Sequence, residues 1–203
     1  MNFFKSAIIV LVAVPVVLST HVHANSPGDG GEQLVRALAT EAVSTLSGKA
    51  LSEKERQHNF RKILHRYFDV DRIGRLALGR YWRKATKGEK SEYLILFEDL
   101  LVVTYASRFK TYSTEKLEVN GSSARGGGVL VNSQFKKEGQ KPIRVVWRVR
   151  FPNGTSKIFD IVVEGVSLIQ TQRSQFSSVI RRNGGKISAL LEVLKEKINQ
   201  KQL

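Results

Sequence analysis

Ile143, Val145, Trp147, Val149 and Phe151 alternate with Arg144, Val146, Arg148 and Arg150. Successive side chains of a strand point to opposite faces, so this period of two describes a strand with one apolar face and one largely basic face. A second run, Phe159-Asp160-Ile161-Val162-Val163, follows Pro152-Asn153-Gly154, and an Asn-Gly pair tolerates the positive φ angles of a tight turn, which makes the two runs a hairpin. Upstream, Leu117 and Val119, then Val129, Val131, Ser133 and Phe135, alternate in the same way on either side of Gly126-Gly127-Gly128. Four antiparallel strands are predicted, with a greasy side and a basic exterior.

Helical periods flank the strands. After a Gly-rich leader, Ser26 to Gly31, the residues Leu34, Leu38, Ala42 and Leu46 recur every four positions until Gly48. Phe60, Ile63, Leu64 and Tyr67 mark a second helix, and Val70, Ile73, Ala77 and Leu78 a third, with Gly79 suited to its C-terminal cap. Arg80-Tyr81-Trp82-Arg83 reads as an aromatic plug. Thr86-Lys87-Gly88-Glu89 has capping-box spacing, in which hydroxyl and carboxylate each satisfy a free amide. The helix it opens keeps its period through Tyr93, Phe97, Leu101 and Tyr105 to about Tyr112, roughly 25 residues and about 37 Å. Phe176, Val179 and Ile180, then Ile187, Leu190, Leu191, Leu194 and Ile198, close the chain with two more. This order predicts an α+β domain: a four-stranded antiparallel sheet covered on one face by helices, enclosing an apolar cavity. Leu101 and Tyr105 from the long helix, with Val145, Trp147, Val149, Phe151, Ile161 and Val163 from the sheet, are the expected lining, because each partner has a one-sided apolar pattern.

Residues 1–24 read as a cleaved secretory signal: Lys5, an apolar stretch of about 12 residues from Ala7 to Leu18, and Val22-His23-Ala24 before the cleavage point. A bilayer-spanning helix needs roughly 20. Residues 25–203 then form one domain. Losing Lys5 takes the formal net charge only from +15 to +14, so the domain seeks anionic partners. Export and the lack of a recognisable motif argue against nucleic acid. Anionic lipid surfaces fit better, since each Lys or Arg near such a membrane contributes on the order of 1 kcal/mol. Arg144, Arg148 and Arg150 are the candidates for docking on acidic partner or lipid surfaces.

Covalent chemistry has little to work with. The chain has no cysteine, and His58 and His65, the two histidines outside the signal, are seven apart rather than at the i, i+4 spacing of a two-histidine metal site. No Gly-x-Ser-x-Gly elbow occurs. Asp160 interrupts an apolar strand; either it is a buried acid–base group, or it points off the core face and pairs with Arg148 or Arg150, which the alternation favours. No catalytic residue, metal or cofactor is expected.

Several ordered motifs resemble one family. Tyr67-Phe68-Asp69, Leu78-Gly79-Arg80-Tyr81-Trp82-Arg83-Lys84-Ala85-Thr86, the stretch ending Thr104-Tyr105-Ala106, and Val163-Glu164-Gly165-Val166-Ser167-Leu168 with Arg173-Ser174-Gln175-Phe176 look like the MlaC, or toluene-tolerance, family of periplasmic phospholipid-binding proteins. The resemblance implies a carrier of phospholipid between an outer-membrane lipoprotein complex and an inner-membrane ABC transporter with its MCE-domain ring, with transient membrane contact. Where that family usually has Trp-Lys-x-Tyr-Asp, this chain reads Ser156-Lys157-Ile158-Phe159-Asp160, so the hopanoid-associated branch and its cargo stay open. An enzyme on a similar α+β architecture and an adaptor protein are the competing classes.

Overall fold

Side chains that satisfy free backbone amides decide where most helices begin. The computed structural model describes residues 27–48, 50–111 and 116–202; the expected signal and its expected cleavage after Ala24 lie outside them. Helix α1 spans Pro27–Leu46. Helix α2 (Glu53–Tyr67) opens on a capping box in which Ser52 Oγ accepts from Glu55 N at 3.2 Å and the Glu55 carboxylate accepts from Ser52 N at 2.9 Å. Asp69 caps α3 (Val70–Leu78), which ends at Gly79 with φ 59°. Helix α4 (Lys87–Tyr105) starts on the Thr86–Glu89 box that its sequence predicts. At the other end of α1, the fully buried Arg56 donates to the carbonyls of Leu46, Gly48 and Leu51. Unpaired carbonyls and the helix dipole both favour a cation there.

Two helix expectations need correction. The Gly-rich stretch is not a leader: from Pro27 it is the first turn of α1, and a Cβ on Gly31 would stand 3.1 Å from Val131 Cγ2 and 3.3 Å from Val129 Cγ1. Glycine is there because the helix lies against the sheet. The long helix stops at Tyr105, and Ala106–Thr111 continues as a 3-10 helix. Nineteen residues rather than about 25 give a length of roughly 28 Å. In the tighter winding residues three apart eclipse, which sets the Arg108 guanidinium 5.2 Å from the Tyr105 ring. Phe109 meets Phe60 at 5.9 Å.

The sheet has five strands in sequential, wholly antiparallel order: β1 (Lys116–Arg125), β2 (Gly128–Lys136), β3 (Ile143–Arg150), β4 (Lys157–Val163) and β5 (Val166–Ser167). The fifth was not expected. It is reached through Glu164 and Gly165, at φ 47° and 84°, and two residues are too few to show alternation. Between β3 and β4 the register steps from Arg148↔Asp160 to Val149↔Ile158, leaving Phe159 as the extra residue of a bulge. Ile158, fully buried, therefore takes the place beside Val149 that strict alternation assigned to Phe159, whose ring lies 5.3 Å from the Arg72 guanidinium. Phe151 falls beyond the end of β3.

Helix α1 packs across β1 and β2, and the last two helices, α5 (Leu168–Arg182) and α6 (Ile187–Gln202), pack on β4 and on α4 respectively. Tyr81 is buried, as a plug should be, whereas Trp82 is half-buried between the cations of Arg75 and Lys90.

Candidate ligand pocket

Between the apolar side of the sheet and the helices lies a pocket of about 350 Å³. Leu117, Phe135, Trp147 and Ile161 contribute from four successive strands. Leu38, Ala39, Ala42 and Val43 face it from α1, Phe60, Ile63 and Leu64 from α2, Ile73 and Ala77 from α3, and Phe97, Leu101 and Tyr105 from α4. Leu168, Ile169 and Gln172 of α5, with Phe68, Arg108, Phe109 and Asp160, complete it. The helical members recur every three or four residues, so each helix turns one apolar stripe inward. Val43 and Leu168 stay 42 % and 38 % exposed and mark where the lining reaches solvent.

Its polar atoms are largely satisfied by the protein. The Trp147 ring N–H donates to Ser133 Oγ at 2.8 Å, and that hydroxyl donates to Val145 O at 3.1 Å. Asp160, its side chain only 1 % exposed, accepts from Ile161 N (2.9 Å), Ile169 N (3.2 Å) and Ser167 Oγ (2.7 Å) and pairs with Arg148 Nη1 at 3.2 Å. A buried carboxylate so engaged has its desolvation compensated and its acceptor positions occupied. It ties the start of α5 to β4 and, through Arg148, to β3; of the two expected partners, Arg148 and Arg150, it pairs with Arg148, and the carboxylate is buried rather than turned out to solvent.

Of the eight residues expected to line a cavity, Leu101, Tyr105, Trp147 and Ile161 meet in this pocket, and Val145, Val149, Phe151 and Val163 are not part of it. Val149 is fully buried at the end where α1 closes on β2, and Phe151 sits beside Gly30, whose Cβ would be 3.7 Å from it. Val145 is buried opposite Ser133, and Val163 faces Val145 near the β5 hairpin. Most helical lining residues carry the same periodic signal as ordinary core, so no sequence signal separates them.

The three arginines proposed for docking all have carboxylate partners. Arg144 meets Glu164 at 3.4 Å, Arg148 meets Asp160, and Arg150 meets the α3 cap Asp69 at 3.1 Å; their side chains are 80 %, 44 % and 32 % exposed. The Arg144 backbone amide, more than its guanidinium, holds the Glu164 carboxyl below its usual range. His65 faces Glu98 at 3.0 Å, and Arg61 bridges Glu98 and Asp99.

Fold and pocket define an α+β domain with an apolar pocket walled by four strands and several helices. Residues 36–196 match the family model described as MlaC protein, and the chain belongs to the MlaC family. The intermembrane phospholipid transport system binding protein MlaC of Haemophilus influenzae is 22 % identical over 139 residues, 66 % of this chain and 64 % of that relative's length. The toluene tolerance protein ttg2D of Pseudomonas putida is 22 % identical over 194 residues, covering 93 % of this chain and 87 % of its own. The fold is shared with the phospholipid-binding protein from Ralstonia solanacearum, solved in complex with a phospholipid, at a TM-score of 0.77 and 23 % identity over 85 % of this chain and 99 % of that one.

Proposed function

We propose that this protein is a periplasmic phospholipid carrier that moves lipid between outer-membrane and inner-membrane complexes of an ABC transport system, and so maintains outer-membrane lipid asymmetry. The observation that carries the reading is the apolar pocket in a member of the MlaC family. About 30 methylenes of a diacyl lipid would cost roughly 24 kcal/mol if left in water, at about 0.8 kcal/mol each. Only an enclosed apolar path carries such a molecule between membranes. The pocket of about 350 Å³ reaches solvent at Val43 and Leu168, where acyl chains would enter. Membranes on both sides offer the tails a similar free energy, so direction comes from the partner complexes. Arg144, the most exposed of the three arginines, is the first candidate contact for an acidic partner. A hopanoid is the alternative cargo, left open by the serine at 156 where the family usually has an aromatic.

Native mass spectrometry of the purified mature protein tests this. Wild type should retain a phospholipid of intact mass, and Leu101→Trp, which fills the pocket, should retain little. An empty wild type, equal lipid on both proteins, or lipid released in hydrolysed form overturns the carrier reading.

A further inference from the structure

Beyond α5 from the apolar pocket, a second pocket of about 300 Å³ is lined by Arg80, Gln170, Arg173, Ser174, Ser177 and Arg181. It shares no lining residue with the first. The α5 members follow the three-to-four repeat of one helix face, while the core side of α5 is Ile169, Phe176 and Ile180. Arg80 arrives from the 3-10 turn Gly79–Arg83.

Three guanidiniums and two hydroxyls thus share a concavity that contains no carboxylate. Arg61, Arg66, Arg148 and Arg150 each sit on an acidic side chain, but among the described residues none of Arg80, Arg173 or Arg181 has a carboxylate oxygen within the 4.0 Å limit for an ion pair. Clustered like charge is unfavourable, and an anion bound among them would offset it.

Two of the three are also held in place. Arg173 Nε donates to Leu76 O at 2.8 Å in the last turn of α3, and its stem runs past Gly79, where a Cβ would come within 3.2 Å of it. That bond uses Nε and leaves both Nη groups. Arg80 donates to the Tyr81 hydroxyl at 3.2 Å, and its guanidinium lies 5.1 Å from that ring's centre. Forked donors fixed in advance, with hydroxyl donors beside them, suit a tetrahedral oxyanion better than a single-point anion.

We propose that this pocket is an oxyanion site that takes a phosphate group. The inference is independent of the lipid-carrier reading. Isotope-labelled protein titrated with inorganic phosphate, at ionic strength held constant with chloride, should show saturable amide shifts confined to residues 79–83 and 170–181. Arg80→Ala/Arg181→Ala should weaken them about tenfold or more, and Arg173→Lys, which keeps the charge but loses the fork, should do so by a similar factor. Thermal unfolding checks that the variants fold. In a second arm, protein is sedimented with phosphatidylcholine vesicles with and without phosphatidylglycerol. Binding that depends on phosphatidylglycerol and is lost in the double variant identifies a lipid headgroup as the source, and a phosphate response without vesicle binding identifies free phosphate. No saturable response in either arm, or equal responses from wild type and double variant, overturns the proposal.

Discussion

One face of the β-sheet is filled at one end and hollow at the other, although both ends are built from similar residues. At the filled end Val129, Val131 and Val149 are 0–2 % exposed, and Gly31 lets the backbone of α1 settle onto Val129 and Val131. At the hollow end Leu117, Phe135, Trp147 and Ile161 face helices that meet them in part with Ala39, Ala42 and Ala77. Glycine removes the space by bringing backbone close, and alanine on separated helices leaves space behind. The hydrophobicity of the strands is therefore common to both ends. What differs is the reach of whatever stands opposite.

Matched substitutions can break this contrast. Val149→Trp should destabilise the most, by about 3 kcal/mol, since overpacking a close-packed site forces side chains and backbone to shift. In a domain of this size that lowers Tm on the order of 10 °C. Leu101→Trp should lower Tm far less while displacing lipid; equal Tm losses in thermal scans would mean that the two ends are packed alike. Asp160→Asn should cost about 2 kcal/mol by urea unfolding, because it strands the Arg148 charge and weakens the bonds that seat α5 beside the pocket. The half-exposed arginine keeps the loss below that of a fully buried pair.

A smaller effect of opposite sign sharpens the same comparison. Ala42→Leu, which puts three more carbons into the hollow end, should stabilise the lipid-free protein by about 1 kcal/mol. Gly31→Ala at the filled end should gain less than the roughly 1 kcal/mol that alanine brings over glycine in an open helix, since its Cβ would be 3.1 Å from Val131. If calorimetry found Ala42→Leu less stable than wild type, the pocket would have no free space to fill. The smallest effect concerns the turn into β5. The Glu164 carboxyl lies below its usual range, held there by the Arg144 amide, so its contribution is present above the ordinary carboxylate pKa and lost as pH falls through the lowered folded value. Amide exchange at Gly165 and Val166 should quicken in that acid window and lose this pH dependence in Glu164→Gln. Exchange that stayed pH-dependent there in the variant, after correction for intrinsic rates, would assign the effect to another group.

Local rules determined much of this protein from sequence alone. The Thr86–Glu89 capping box, the Gly79 helix end, the alternation of β3 and the inward stripes of the helices depend on neighbours within a few residues, and each is legible there. The Ser52–Glu55 box carries the same signal and could have been read in advance. The pairing of Asp160 was legible only as a choice between Arg148 and Arg150, because the register that decides it passes the Phe159 bulge. Tertiary structure alone decided which apolar residues border empty space. Periodicity says that Val149 and Ile161 both face inward, but whether a void remains depends on how near a distant helix comes, as Gly31 and Ala77 show. The same holds for the basic pocket: Arg80 and Arg173 are far apart in sequence and become neighbours only when α5 packs against the end of α3.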